Sequence, residues 1–228
     1  MKKYVISYFL IIIIACVLGT IVCKIPTKYA QKNIIESVGV FEEEWTDPLA
    51  KFGYNAVKDN FSDAIMFNII YSVDSEKPFL SFIHCKNQII PDNVTDLGNS
   101  VKSLIALTKG EFTYIYNYSR YWHGYIIFVK CLLLFFSYNT IRIILNSIII
   151  IIGIIMLYLI MKKIGKIEGL ITMLVLISIS YQVVGLSIQY FSVFAISVIL
   201  SIYFLIKSNS KLNIYLIFFI IRWNHKCF

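Results

Sequence analysis

Two carboxylates, Asp59 and Asp63, stand four residues apart at the start of the segment DNFSDAIMFNI, whose apolar residues recur with a helical period. That spacing puts both acids on one helix face. A pair of carboxylates is what proton abstraction, or metal-assisted transfer from a phosphate donor, requires. The competing reading is local: an acid at a helix start accepts from the free N–H groups of the first turn and complements the positive end of the helix dipole. A second group of residues lies downstream, where Arg120 and His123 sit among Tyr118, Tyr121, Trp122 and Tyr125, with Lys130 and Arg142 beside the apolar segments that follow. Cations at an apolar boundary are costly and usually have an assigned partner. These four suit the phosphate of a lipid-linked substrate. Ordinary snorkelling of the charged heads to lipid headgroups is the alternative. The run Glu42-Glu43-Glu44 reads as the solvated end of a helix. Cys16, Cys23, Cys85, Cys131 and Cys227 lack metal-ligand spacing and imply no disulfide framework. No metal site is expected, and no cofactor motif is present.

The elements that must carry these groups follow from composition. Of 228 residues, 58% are hydrophobic and only 15% charged, and the mean hydropathy is +0.75. These values exclude an ordinary water-soluble domain. The apolar residues form one run near the start and several after residue 125, each of the order of the ~20 residues that a membrane helix needs. The net charge of +8 does not point to nucleic acid. All acids but Glu168 lie between the first and second apolar regions, interleaved with ten Lys and Arg from residue 24 to 120, so that stretch is near neutral. The excess positive charge instead flanks apolar runs, at Lys2 and Lys3, at Lys162, Lys163 and Lys166, and at Lys207 and Lys211. Such flanks mark the cytoplasmic side of a membrane.

The sequence therefore predicts an all-α integral membrane protein with about four transmembrane helices and a mostly helical extracytoplasmic domain. Residues 1–23 form an uncleaved anchor with a cytoplasmic N-terminus; a lipoprotein-like cleavage box at Ile13-Ile14-Ala15-Cys16 is the rival. Residues 24–124 form the outer domain, with helices over 29–44, 60–72 and 94–108. The faces expected to be buried are Ile34, Ile35, Val38 and Phe41; Phe61, Ile65, Asn68 and Ile69; and Val94, Leu97, Val101, Leu104 and Ile105. Start signals are Thr27, Asp59 or Asn60, and Asp92 or Asn93, while Gly110 is suited to close the third helix. The stretch YIYNYSRYWHGY, residues 114–125, has the composition of a membrane interface. Residues 125–142 form an interfacial or re-entrant helix, too short to span. Residues 143–228 hold the remaining spans, over 143–161, 169–189 and 190–206. The last apolar run, 212–221, covers only about 15 Å as a helix before meeting charge, so the C-terminal end reads as truncated.

This layout of one span, a large acid-rich outer loop, a surface helix and then serial spans is similar to that of multi-span glycosyltransferases of the GT-C type. The stretches DNFSDAIMFNI and RYWHGY, the latter followed by the Lys130 and Arg142 segment, also resemble uncharacterised multi-span proteins of low-GC Gram-positive bacteria. The resemblance implies a cell-envelope transferase using a polyprenyl-phosphate-linked sugar, with an acid of the first outer loop acting as base on the acceptor. Glu36 is nearest the first span, but Asp59 and Asp63 are the more suggestive acids, with Arg120, His123, Lys130 and Arg142 as donor-binding groups. The alternative is a non-catalytic accessory or scaffold protein of the membrane, whose outer domain binds a partner. Neither reading involves nucleic acid.

Overall fold

The computed structural model describes residues 2–44, 60–90, 99–111, 113–118 and 123–207. It divides into two compact units, Met1–Ile141 and Arg142–Phe228. The chain is mostly helical, and three helices are long and apolar enough to cross a membrane: Tyr138–Lys163, Lys166–Leu186 and Ile188–Lys207. A fourth is counted if the bent pair near the start is taken as one span. Mostly helical, with three to four candidate membrane-spanning helices, the chain is consistent with a helical membrane protein.

The first unit opens with α1 (Lys2–Lys24), whose 23 residues rise about 34 Å. Its flank carries exposed apolar side chains such as Leu10, Ile14, Val17 and Ile21, as a lipid-facing helix should. Pro26 stops it, because proline disfavours the α conformation in the residue before it. The chain then turns by 81° into α2 (Lys28–Glu44). The buried stripe of α2 is Ala30, Ile34, Ser37 and Phe41. Ile34 and Phe41 are where the period places them, but Ile35, expected on the same face, is half exposed. Thr27 stands at the start of α2 as expected, its carbonyl accepting from the Gln31 N–H at 2.8 Å, but its hydroxyl is not turned to the first turn. Its hydroxyl donates instead to the carbonyl of Val73, at 2.9 Å.

The centre of this unit is α3 (Asn60–Tyr71), which packs on α2 and on α5 (Asn99–Lys109). Two of its expected core residues, Phe61 and Ile65, are only half buried, and the deepest face is Asp63, Ala64, Phe67 and Ile70. With neighbours on several sides, a helix is buried nearly all round, and a single apolar stripe no longer describes it. The third expected helix is present from residue 99; its proposed start signals and the positions of Val94 and Leu97 lie outside the described residues. Gly110 closes α5 as the sequence implies. It adopts φ +73°, its N–H meets the Leu107 carbonyl, and the Glu111 N–H reaches the Ala106 carbonyl, the paired bonds of a Schellman ending.

Two features lie outside the helices expected from the sequence, and the second is not helical. A short helix, α4 (Pro78–His84), follows α3 and packs on α1. Strands β1 (Lys86–Ile89) and β2 (Tyr114–Asn117) form an antiparallel pair with Lys86 opposite Asn117 and Ile89 opposite Tyr114. Part of the tyrosine-rich stretch expected at a membrane interface is thus a strand, favoured by its aromatic and β-branched residues. Asn68, expected on an apolar face, explains how the pair attaches. Its amide donates to the Gln88 carbonyl and accepts from the Gln88 N–H, both at 2.8 Å, so α3 completes the strand's bonding through one side chain.

The unit ends with α6 (Ile126–Leu133), the short helix expected near residues 125–142, and the first turn of α7 (Tyr138–Lys163). In the second unit, α7 continues, Ile164 and Gly165 form a tight connection, and α8 (Lys166–Ser178) follows. The third expected span is not one continuous α-helix. It breaks at Ser180, which takes a left-handed conformation, and resumes as a 3-10 turn, Tyr181–Leu186. The hydroxyl of Tyr181 donates to the Ile149 carbonyl of α7 at 2.7 Å, a polar tie inside an otherwise apolar core that includes Met156, Ala195 and Val198. The last described helix is α9 (Ile188–Lys207). The terminal apolar run, 212–221, lies outside the described residues.

Candidate functional site

Asp63 sits in the first turn of α3 and is wholly buried. Among its partners is Tyr138, the first residue of α7, whose hydroxyl donates to Asp63 Oδ2 at 2.6 Å. The Tyr138 ring is stacked on Phe41 at 4.4 Å between centroids and meets Phe67 edge-on at 4.9 Å. Phe41 and Phe67 thus flank the ring that donates to Asp63, and both bonded residues are fully buried. The N–H of Tyr138 donates to Ser37 Oγ at 3.0 Å, which satisfies one of the free donors that every helix start presents. Asp63 thus joins the start of α3 to the start of α7.

Lys130 is equally buried, on α6. Its ammonium donates to the carbonyls of Ile25 at 2.8 Å and Cys23 at 3.3 Å, and approaches Thr27 Oγ1 at 3.5 Å. An ammonium has three protons, and the three acceptors cluster where α1 ends and its last carbonyls have no partner within the helix. Burial pulls the lysine below its ordinary pKa, while Cys23 and Cys131 act weakly the other way. The same device recurs nearby. Asn33 donates to the Leu133 carbonyl at the end of α6, Gln31 to the Tyr71 carbonyl at the end of α3, and Thr27 to the Val73 carbonyl just beyond. Lys163 does the same for the Ile206 carbonyl of α9 in the second unit.

His123 precedes α6 and is buried. Its Nε2 lies 2.5 Å from the Tyr118 carbonyl, which only accepts, so Nε2 carries the proton and Nδ1 accepts from the Tyr125 hydroxyl at 3.1 Å. His123 is therefore the neutral pin between the end of β2 and the start of α6. Burial lowers its pKa, opposed in part by the bond to Tyr118. Burial also raises Tyr125, helped by Cys85 and Tyr118, and pushes the Cys85 thiol up to about 12, with Cys23 adding to the rise. A thiol so placed is a poor nucleophile.

A histidine whose folded-state pKa lies below its unfolded value of about 6.5 stabilises the fold above that pH, and the contribution is lost as pH falls through the folded value. Acidification from about pH 7.5 to 5.5 is accordingly expected to lower the unfolding midpoint in detergent, and His123→Gln to flatten that dependence. An equal acid slope in the variant would show that His123 is not the group responsible.

Among the described candidate residues, Asp63, Lys130 and His123 each have partners within the first unit. Arg142 is buried in the second turn of α7, at the start of the second unit. Asp59 and Arg120 lie outside the described residues. Among the described residues no group of three His, Cys, Asp or Glu side chains is placed to hold a metal ion. Sequence reasoning missed Tyr138, Ser37, Asn33 and Gln31, and nothing in their own neighbourhoods announces partners so distant along the chain. No family model, curated protein or solved structure matches this chain.

Proposed function

We propose that the chain is a non-catalytic integral membrane protein, an accessory or scaffold component of the cell envelope. In this reading the N-terminus is cytoplasmic and residues 24–124 face outward to bind a partner. The observation that carries it is the engagement of the chemically capable groups inside the fold: Asp63 accepts from Tyr138 in an aromatic enclosure, and Lys130 closes the end of α1. A general base needs access to the proton it removes, and a phosphate-binding cation needs a free face. The basic flanks at Lys2 and Lys3, Lys162 to Lys166, and Lys207 support the orientation.

A second reading is a GT-C-like transferase acting on a polyprenyl-phosphate-linked sugar. It is favoured by the 81° turn from α1 into α2 and by the short helix α6 that precedes the long apolar α7. Asp63→Asn separates the two. The amide keeps an oxygen for the Tyr138 hydroxyl but cannot act as a base. With the variant replacing the parent gene, the accessory reading predicts a normal protein level and an unchanged envelope glycan profile by mass spectrometry. A normal level with loss of one glycan would overturn it in favour of the transferase.

A further inference from the structure

From the placement of α4 we propose that this helix is seated in the outer leaflet of the bilayer, with Phe79, Leu80 and Ile83 in contact with lipid acyl chains. The helix has two distinct sides. Ser81, Phe82 and Cys85 are buried against the unit, whereas Phe79, Leu80 and Ile83 are 54%, 49% and 47% exposed. Three large apolar side chains held out on two turns are unusual for a water-facing surface. Their depth follows from α1. The Phe82 ring occupies the space beside Gly19, where even a methyl group would fall 2.3 Å from it. Gly19 lies five residues before the end of α1, about 7 Å below that end along the axis. At the same level Val17, Leu18 and Ile21 of α1 are exposed and apolar. Lipid that covers them continues onto the outer side of α4, which packs on the same helix.

The ends of α4 fit an in-plane orientation. Glu76 and Lys77 before it and Lys86 after it are exposed, and the Ser81 hydroxyl accepts from the Asp74 N–H and donates to the Asp74 carbonyl, at 3.0 Å each. Polar ends with an apolar outer stripe are the pattern of a helix lying in the interface, its apolar side several ångströms deep. The region between the first two apolar runs therefore touches the membrane at a point that its polar composition does not reveal. This inference requires α1 to cross the membrane, and it is independent of the role of Asp63.

The test is photocrosslinking of the full chain in phosphatidylethanolamine and phosphatidylglycerol nanodiscs. Benzoylphenylalanine is placed singly at Phe79, Leu80 or Ile83, at Ile21 as the lipid-facing reference and at exposed Lys102 of α5 as the water-facing one, and adducts are read by mass spectrometry. The expected result is lipid adducts at the α4 positions comparable with Ile21 and about tenfold above Lys102. Adducts at Ile21 but only Lys102 levels on α4, or crosslinks from α4 to a second copy of the chain, would overturn the proposal. Absence of adducts at Ile21 as well would overturn both it and the membrane placement of α1.

Discussion

Replacing Lys130 by methionine is expected to release the end of α1 from the first unit. Methionine fills nearly the same volume but donates nothing, so the carbonyls of Cys23 and Ile25 and the hydroxyl of Thr27 lose a shared donor in a buried place. Buried acceptors left without partners make the expected cost on the order of 2–3 kcal/mol, even after allowing for relief of the buried ammonium. Cys23 offers a direct readout because its side chain is fully buried, one residue from the end of α1. Alkylation of Cys23 in the folded protein should become fast in Lys130→Met and remain slow in the parent. Equal protection in both proteins, together with an unchanged unfolding midpoint, would show that the ammonium does not hold this junction.

Removing the carboxylate of Asp63 is expected to have a comparable effect by a different route. In Asp63→Ala the Tyr138 hydroxyl remains enclosed by Phe41 and Phe67 without the acceptor it has at 2.6 Å. Loss of this buried hydrogen bond and the vacated space together make about 2–3 kcal/mol the expected size. Asp63→Asn should lose much less, because an amide oxygen still accepts. Denaturant unfolding in detergent distinguishes the two variants. Equal losses would mean that the charge of Asp63, rather than its acceptor oxygen, stabilises the unit.

How much of this could be read from the chain depended on distance along it. Helices α2, α3 and α5 and the long apolar helices α7 and α9 were legible because their signals are local, in the recurrence of residues such as Ile34 and Phe41, or in unbroken apolar length. The Schellman ending at Gly110 was legible for the same reason. Helix α4 was not, since two turns are too few to display a period. The pairing of β1 with β2 joins Lys86 to Asn117, and nothing near either residue specifies the other. The break in the third span at Ser180 likewise depends on how Tyr181 reaches Ile149, 32 residues earlier.

The candidate site divides along the same line. That Asp63 would sit in a first helical turn was evident from its neighbours, but Tyr138 is 75 residues away. Lys130 stood out as a cation in an apolar run, yet its acceptors lie more than a hundred residues upstream. Charged residues at an apolar boundary look alike in a sequence whether they bind a substrate phosphate or a helix end, because both offer oxygen acceptors to a desolvated cation. In this fold the second kind of acceptor is the one in place.

The central claim is that Asp63 and Tyr138 form an internal bond that holds α3 to the start of α7, and a double-mutant cycle tests it most directly. Unfolding free energies of the parent, Asp63→Ala, Tyr138→Phe and the double variant would be measured under one detergent and denaturant condition. The expected result is that the double variant loses less than the sum of the two single losses, by about 1–2 kcal/mol, because the bond they share can be lost only once. Losses that add to within about 0.3–0.5 kcal/mol would contradict it.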